Sequence, residues 1–277
     1  MRYFLLLFFS FFLITACGND PEAASTETDK TMADLAEDEE FRDAHELPGA
    51  IEFVPKGTMI KIPVAGGEAA NAYLLKADEN PDNKFLIVLH EWWGMNDYVR
   101  AEAERFYAAL DNTTVIALDM YDGQVATTPE QAKEYMQGLE EDRANAIVSG
   151  ALAYAGPEAR IGTLGWCFGG YWSLKTSIAA GANGKACVMY YGMPVKTAAE
   201  LAPLQAPILG IFATKDGWIN EEVIGKFEEL TAATKKELTV KWFEAEHAFA
   251  NPTRDIYEQE AAEEANELSI EFLKKHL

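Results

Sequence analysis

From residue 59 to the C-terminus, short apolar runs alternate with longer stretches of helical periodicity, and that alternation leaves few folds open. The runs are MIKIPV (59–64), AYLLKA (72–77), FLIVLH (85–90), TVIALD (114–119), IGTLGW (161–166), ACVMYY (186–191), PILGIFA (207–213) and LTVKWFE (238–244). The first two read as an antiparallel entry hairpin with Gly66 and Gly67 at its turn. From FLIVLH onward most are nearly continuous in apolar residues, as strands covered on both faces are. Helices are predicted between them over 98–110, 129–155, 170–180, 220–233 and 255–275. Strands separated by helices need right-handed crossovers, so the expected fold is of the α/β class: a mostly parallel central sheet with helices on both faces. No internal repeat and no second core interrupts the pattern, which predicts one domain over 48–277.

The N-terminus is of a different composition. Arg2 precedes an apolar run over residues 4–16, broken only by Ser10 and Thr15. Such a run is too short to span a bilayer comfortably and reads as a signal peptide over 1–16. It ends in Ile14-Thr15-Ala16-Cys17, which resembles the lipobox of bacterial lipoproteins, so Cys17 is the expected lipidation site and mature N-terminus. A plain signal peptide cleaved after Ala16 is the alternative. Acyl chains on Cys17 imply an exported protein anchored to the cell envelope, and Gly18 in place of an aspartate points to the outer membrane. Residues 17–47 are rich in acidic and small residues and are predicted to be a flexible acidic tether, with a weak helix around 32–41 as the alternative within it.

The formal net charge is −22. Phosphate binding needs clustered Lys and Arg, so a nucleic-acid partner is not expected. Many of the acids lie in the tether and in EQEAAEEANE near the C-terminus, where they read as a solvated helix face.

The densest chemical signal is Gly165-Trp166-Cys167-Phe168-Gly169-Gly170, between an apolar run and a helical stretch. In that setting the sequence has the form of a nucleophile elbow with cysteine at the reacting position. Its glycines let strand and helix approach closely around a strained central residue, and the helix N-terminus behind it favours negative charge. A cysteine in an apolar run is ordinarily a small buried hydrophobe; that reading fits Cys187, which has no turn around it. If Cys167 ends one parallel strand and Cys187 begins its neighbour, they stand roughly 15 Å apart, too far for a disulfide.

A thiol nucleophile needs a base, and the chain has four histidines. His45 sits at the tether boundary and His276 at the chain end, whereas His247 follows the last strand in EAEHAFANP. The acid is expected after the preceding strand, where Asp216 ends PILGIFATKD. Cys167, Asp216 and His247 then follow one another in the order nucleophile, acid, base.

LIVLHEWWG, ALDMY, GWCFGG, MYYG, ATKD and EHAFAN, in that order, resemble the dienelactone hydrolase family across nearly the whole domain. The resemblance implies an α/β-hydrolase fold and hydrolysis of small esters or lactones through an acyl-enzyme on Cys167. Glu91 matches a family glutamate that lies beside the nucleophile and helps activate the thiol; a hydrogen-bonding role confined to its loop is the alternative. The backbone N–H groups of Trp92 and Phe168 are the expected oxyanion hole. Tyr191 matches a family active-site tyrosine. Two arginines that grip the substrate carboxylate in dienelactone hydrolase are replaced by Gly123 and Asn251, so dienelactone itself is not the expected substrate. Arg254 is the nearby candidate for substrate binding, or else a surface charge. Trp93, Trp172 and Trp218 are pocket walls or core. The few histidines and cysteines show no metal-ligand spacing, so no metal and no cofactor is expected. A non-catalytic binding lipoprotein on the same fold, and a thioesterase or peptidase, are the rival functions.

Overall fold

A computed structural model of the chain describes residues 32–277. The signal peptide expected over residues 1–16 and the expected lipidation site Cys17 lie outside the described residues. Helices α1 (Met32–Leu35) and α2 (Glu39–Asp43) precede β1 (Thr58–Ile62), β2 (Ala70–Leu75), β3 (Lys84–Leu89), α3 (Asp97–Ala109), β4 (Thr113–Leu118), α4 (Pro129–Gly138) and α5 (Glu141–Ala155). There follow β5 (Arg160–Trp166), α6 (Phe168–Ala180), β6 (Gly184–Tyr190), α7 (Ala198–Leu201), β7 (Ile208–Ala213), α8 (Glu221–Thr234), β8 (Leu238–Phe243) and α9 (Gln259–His276).

The strands form one eight-stranded sheet in the order β1-β2-β4-β3-β5-β6-β7-β8. β1–β2 and β2–β4 are antiparallel, and every pair from β4 to β8 is parallel. This is the mixed α/β architecture that the alternation of runs predicts. β4 and β7 are buried at every residue, as their unbroken apolar runs require. β8, at the sheet edge, alternates exposed Thr239 and Lys241 with more protected neighbours, so one of its faces meets water. No helix among the described residues is long and apolar enough to cross a membrane.

Helix starts follow side-chain chemistry. Asn96 caps α3 through Val99 N, Thr128 caps α4 through Gln131 N with Pro129 just inside, and Asn220 caps α8 through Glu222 N and Val223 N. α6 has no such cap, because its N-cap position is Cys167 itself.

Three expectations change. The helix over 129–155 is two helices, broken where Leu139 and Glu140 turn extended just after Gly138. The β1–β2 connection is longer than a tight turn, since pairing ends at Ile62↔Ala70 with Gly66 and Gly67 inside the loop. Over its described part, residues 32–47, the predicted flexible tether is a folded strap instead. Asp38 caps α2 by accepting from Glu40 N and Phe41 N, and Leu35, Ala36, Phe41 and His45 are buried against the body of the protein. Burying a phenylalanine side chain contributes about 1.5–3 kcal/mol, enough to hold such a short segment down. Charged residues between these anchors remain on the outside, which is why the composition reads as solvated.

Candidate active site

The parallel strands all point their carboxyl ends to one edge, and order reverses between β4-β3 and β5-β6, the place where an open α/β sheet forms its crevice. Cys167 stands there between β5 and α6 with φ 54 and ψ −116, a strained conformation for a residue with a side chain. Its N–H donates to Tyr190 O at 3.0 Å and its carbonyl accepts from Gly170 N, so the bend is pinned from both sides. A Cβ on Gly165 would lie 2.1 Å from Gly169 O, and one on Gly169 would lie 2.2 Å from Leu89 O. Only glycine fits at either position.

Asp216 follows β7 in a turn that it builds itself. Its Oδ1 accepts from Trp218 N and Ile219 N, both at 2.9 Å, and its Oδ2 accepts from His247 Nδ1 at 2.5 Å. Burial opposes its charge, but His247 and the hydrogen bonds prevail and hold the carboxyl below its ordinary pKa. Burial likewise opposes a charge on His247, yet Asp216 and Cys167 outweigh it and lift the imidazole to about 10. With Nδ1 committed to Asp216, His247 Nε2 is the free nitrogen, buried and without a protein partner. One ring nitrogen of His247 and Cys167 Sγ lie within 4.8 Å of each other. Nucleophile, base and acid therefore meet as the sequence order predicts. Cys187 pairs with Thr163 inside the sheet, four residues back along β5, and burial pushes its thiol up to about 11. Both cysteines are free thiols.

The strap covers this centre. Phe41 packs edge-on against Trp92 and Trp218 at ring separations of 5.5 and 5.1 Å, and the His45 ring stands 5.0 Å from that of His247. His45 Nδ1 faces Phe41 O at 2.5 Å, and burial, with His247 and Arg254 nearby, holds its pKa well below the usual histidine range. Under this cover Cys167 is only 2 % exposed. Sequence reasoning set His45 aside; the available signal was the i, i+4 spacing of Phe41 and His45 after an Asp cap.

A model of the dienelactone hydrolase family matches residues 70–277. The chain belongs to the dienelactone hydrolase family. It is 28 % identical over 206 residues to Protein usf of Aquifex pyrophilus, covering 69 % of this chain and 88 % of that one. Carboxymethylenebutenolidase 1 of Cupriavidus pinatubonensis is 25 % identical over 230 residues, covering 77 % of this chain and 95 % of the relative. A solved structure from Klebsiella pneumoniae superposes with TM-score 0.71 at 22 % identity, covering 80 % of this chain and all, 100 %, of that one. With its buried Cys167, His247 and Asp216, this family member is a cysteine-nucleophile hydrolase of the ester and lactone class.

Its remaining site residues occupy the same end of the sheet. Trp92 follows β3 and Phe168 opens α6, and among the described residues neither backbone N–H has a protein acceptor. Tyr191 is buried at φ 34, its ring 5.0 Å from that of His247 and its hydroxyl without a partner. Burial raises the Tyr191 pKa well above its ordinary value, which keeps the hydroxyl a proton donor. Glu91 is buried too, and it accepts from Asn251 Nδ2 at 2.7 Å rather than bonding to Cys167. Arg254 is not a surface charge: it is 6 % exposed and donates to Ala44 O in the strap. Trp92 and Trp93 are fully buried, Trp172 is buried beside Phe168, and Trp218 stays partly exposed against Phe41.

Proposed function

We propose that the protein hydrolyses small neutral esters or lactones through a thioester on Cys167, with His247 as base, Asp216 as its orienting acid and the amides of Trp92 and Phe168 as oxyanion hole. The observation that carries this reading is the alignment of a strained, elbow-borne Cys167 with the Asp216–His247 pair. His247 takes the thiol proton, Sγ attacks the carbonyl carbon and the carbonyl electrons move to oxygen, where the two free N–H groups stabilise them. Collapse breaks the C–O bond, and the leaving alkoxide takes the proton held on His247. In a lactone the alcohol stays tethered to the acyl group. Water then gives a proton to His247, attacks the thioester and releases the carboxylic acid, returning the sulfur for the next cycle.

Preference for a neutral substrate follows from the cations. Gly123 and Asn251 stand at the positions where the family resemblance puts its two arginines, and Arg254 is tied to Ala44 O while the strap is closed. Tyr191 offers a hydroxyl to a polar group near His247 instead. Glu91 acts by tuning the charge around the thiol. The test is a panel of aryl esters, lactones, thioesters and peptides with wild type beside Cys167→Ala. Turnover with a mass adduct on Cys167 supports the reading; absence of both turnover and adduct returns the protein to the non-catalytic alternative.

The same reading makes the chain an exported lipoprotein, anchored by acyl chains on Cys17 with residues 48–277 as its catalytic domain. The apolar run ending in ITAC supports it. Incorporation of a labelled fatty acid, lost in Cys17→Ser, is the expected result.

A further inference from the structure

The strap brings a third soft donor to the catalytic pair. His45, Cys167 and His247 each offer a ligand atom, and those atoms all lie within 4.8 Å of one another in a buried cluster. In both histidines Nδ1 is already engaged by an oxygen: Asp216 Oδ2 for His247 and Phe41 O for His45, each at 2.5 Å. Each Nδ1 therefore carries its hydrogen; His45 Nε2 presents a lone pair, and His247 Nε2 presents one once the proton it shares with Cys167 has left. Both Nε2 atoms are buried without a protein partner. An imidazole whose far N–H is fixed by a carboxylate or a backbone carbonyl is the arrangement that orients metal-binding histidines.

We propose that His45, Cys167 and His247 form a binding site for a zinc ion, with a fourth position left to water. Two imidazoles and a thiolate are a borderline-soft donor set of the kind zinc takes, with bonds of about 2.0–2.1 Å to nitrogen and 2.3 Å to sulfur. In a tetrahedron such ligands stand about 3.3–3.6 Å apart, so the three atoms need to close by at most about 1.5 Å. Binding takes sulfur as thiolate and both rings neutral, so the proton of the Cys167–His247 pair leaves to solvent. The carboxylate of Asp216 and the thiolate balance the charge of the ion. Because His45 belongs to the strap and the other two to the body, the ion ties the strap shut and withdraws the nucleophile from reaction. His45 also lies outside residues 70–277, the part that matches the family. The third ligand therefore comes from the segment that precedes the family match, and the other two from within it.

Only the consequence for activity rests on the hydrolase reading; the ligation does not. Chelator-treated full chain is titrated with cobalt(II) as a zinc analogue and then with zinc in competition. The expected result is one equivalent of cobalt with a thiolate-to-cobalt charge-transfer band, displaced by zinc. The band is lost in Cys167→Ala, and affinity falls at least about tenfold in His45→Ala and in His45→Asn. Circular dichroism confirms that each variant is folded, and having two replacements at His45 guards against one that is not. Zinc should also slow alkylation of Cys167 in the wild type. Cobalt binding without the thiolate band, or unchanged in both His45 variants, overturns the site. Ester hydrolysis by the metal-free wild type is scored separately, so failure of the hydrolase reading shows as no turnover with the cobalt spectrum intact.

Discussion

Asn251 Nδ2 donates to Glu91 Oε2 across 2.7 Å, joining the loop after β8 to the loop after β3 inside the protein. The amide is itself held, since its Oδ1 accepts from Thr253 N at 3.0 Å and from Thr253 Oγ1 at 2.6 Å. Glu91 Oε1 is buried with no protein partner, so Asn251 is what keeps this carboxyl from being wholly unsatisfied.

Replacing Asn251 with alanine should therefore destabilise the fold by about 1.5–3 kcal/mol, the range for a buried hydrogen bond to an ionisable group. The denaturant midpoint of Asn251→Ala against wild type reads this directly. An unchanged midpoint would mean that water satisfies Glu91 as well as the amide does.

Glu91 also sets a pH dependence. Burial is the largest influence on it and raises its pKa above the ordinary value, even though Arg254 and the Asn251 hydrogen bond pull the other way. The folded protein thus keeps this proton to higher pH than the unfolded chain does. Stability is lost as pH rises from the unfolded pKa to the folded one, and the penalty is complete above the latter. Glu91→Gln keeps an oxygen for Asn251 and removes the penalty. Its melting temperature, relative to wild type, should rise from pH 4 to pH 8. A difference that stays flat or declines over that interval contradicts the assignment.

The triad was legible because each member sits beside a local signal: glycines that no larger residue can replace at the elbow, an Asp that turns the chain after β7, a histidine after the last strand. The strap was not. α1 and α2 have four and five residues, too few for periodicity to register, and their anchors Leu35, Phe41 and His45 are spread through acidic sequence. What fixes Phe41 and His45 is a surface made by Trp92, Trp218 and His247, and α1 and α2 also pack on α4; these partners are distant in sequence, and no window of residues contains that information. Arg254 escaped for the same reason, since its partner is the carbonyl of Ala44, 210 residues away. The break after α4, by contrast, had a mark in Gly138, a residue suited to ending a helix.

The two cysteines of the domain should separate cleanly. Cys167→Ala abolishes hydrolysis and adduct formation while leaving the melting temperature within a few degrees of wild type. Cys187 is fully buried and sits within 3.8 Å of Ser173 Oγ, so Cys187→Ala retains activity and costs about 1 kcal/mol of packing. Iodoacetamide footprinting with peptide mass analysis should find label on Cys167 well before Cys187. Equal labelling, or activity lost with Cys187, would reverse the roles.

With Cys167 only 2 % exposed, access to it is expected to require the strap to lift, and Phe41 is the largest apolar group holding the strap down. Losing the burial of a phenylalanine side chain shifts that local equilibrium by about 1.5–3 kcal/mol, which is roughly a 10- to 150-fold rise in the open population. Where opening and closing are fast, the alkylation rate follows that population. Phe41→Ala should therefore speed modification of Cys167 by at least about tenfold, while the unfolding midpoint of the sheet moves little. Lys61→Ala, on exposed β1, serves as the surface control and should leave the rate unchanged. If Phe41→Ala alkylates at the wild-type rate although folded, access to the thiol lies elsewhere and the strap is a fixed part of the wall.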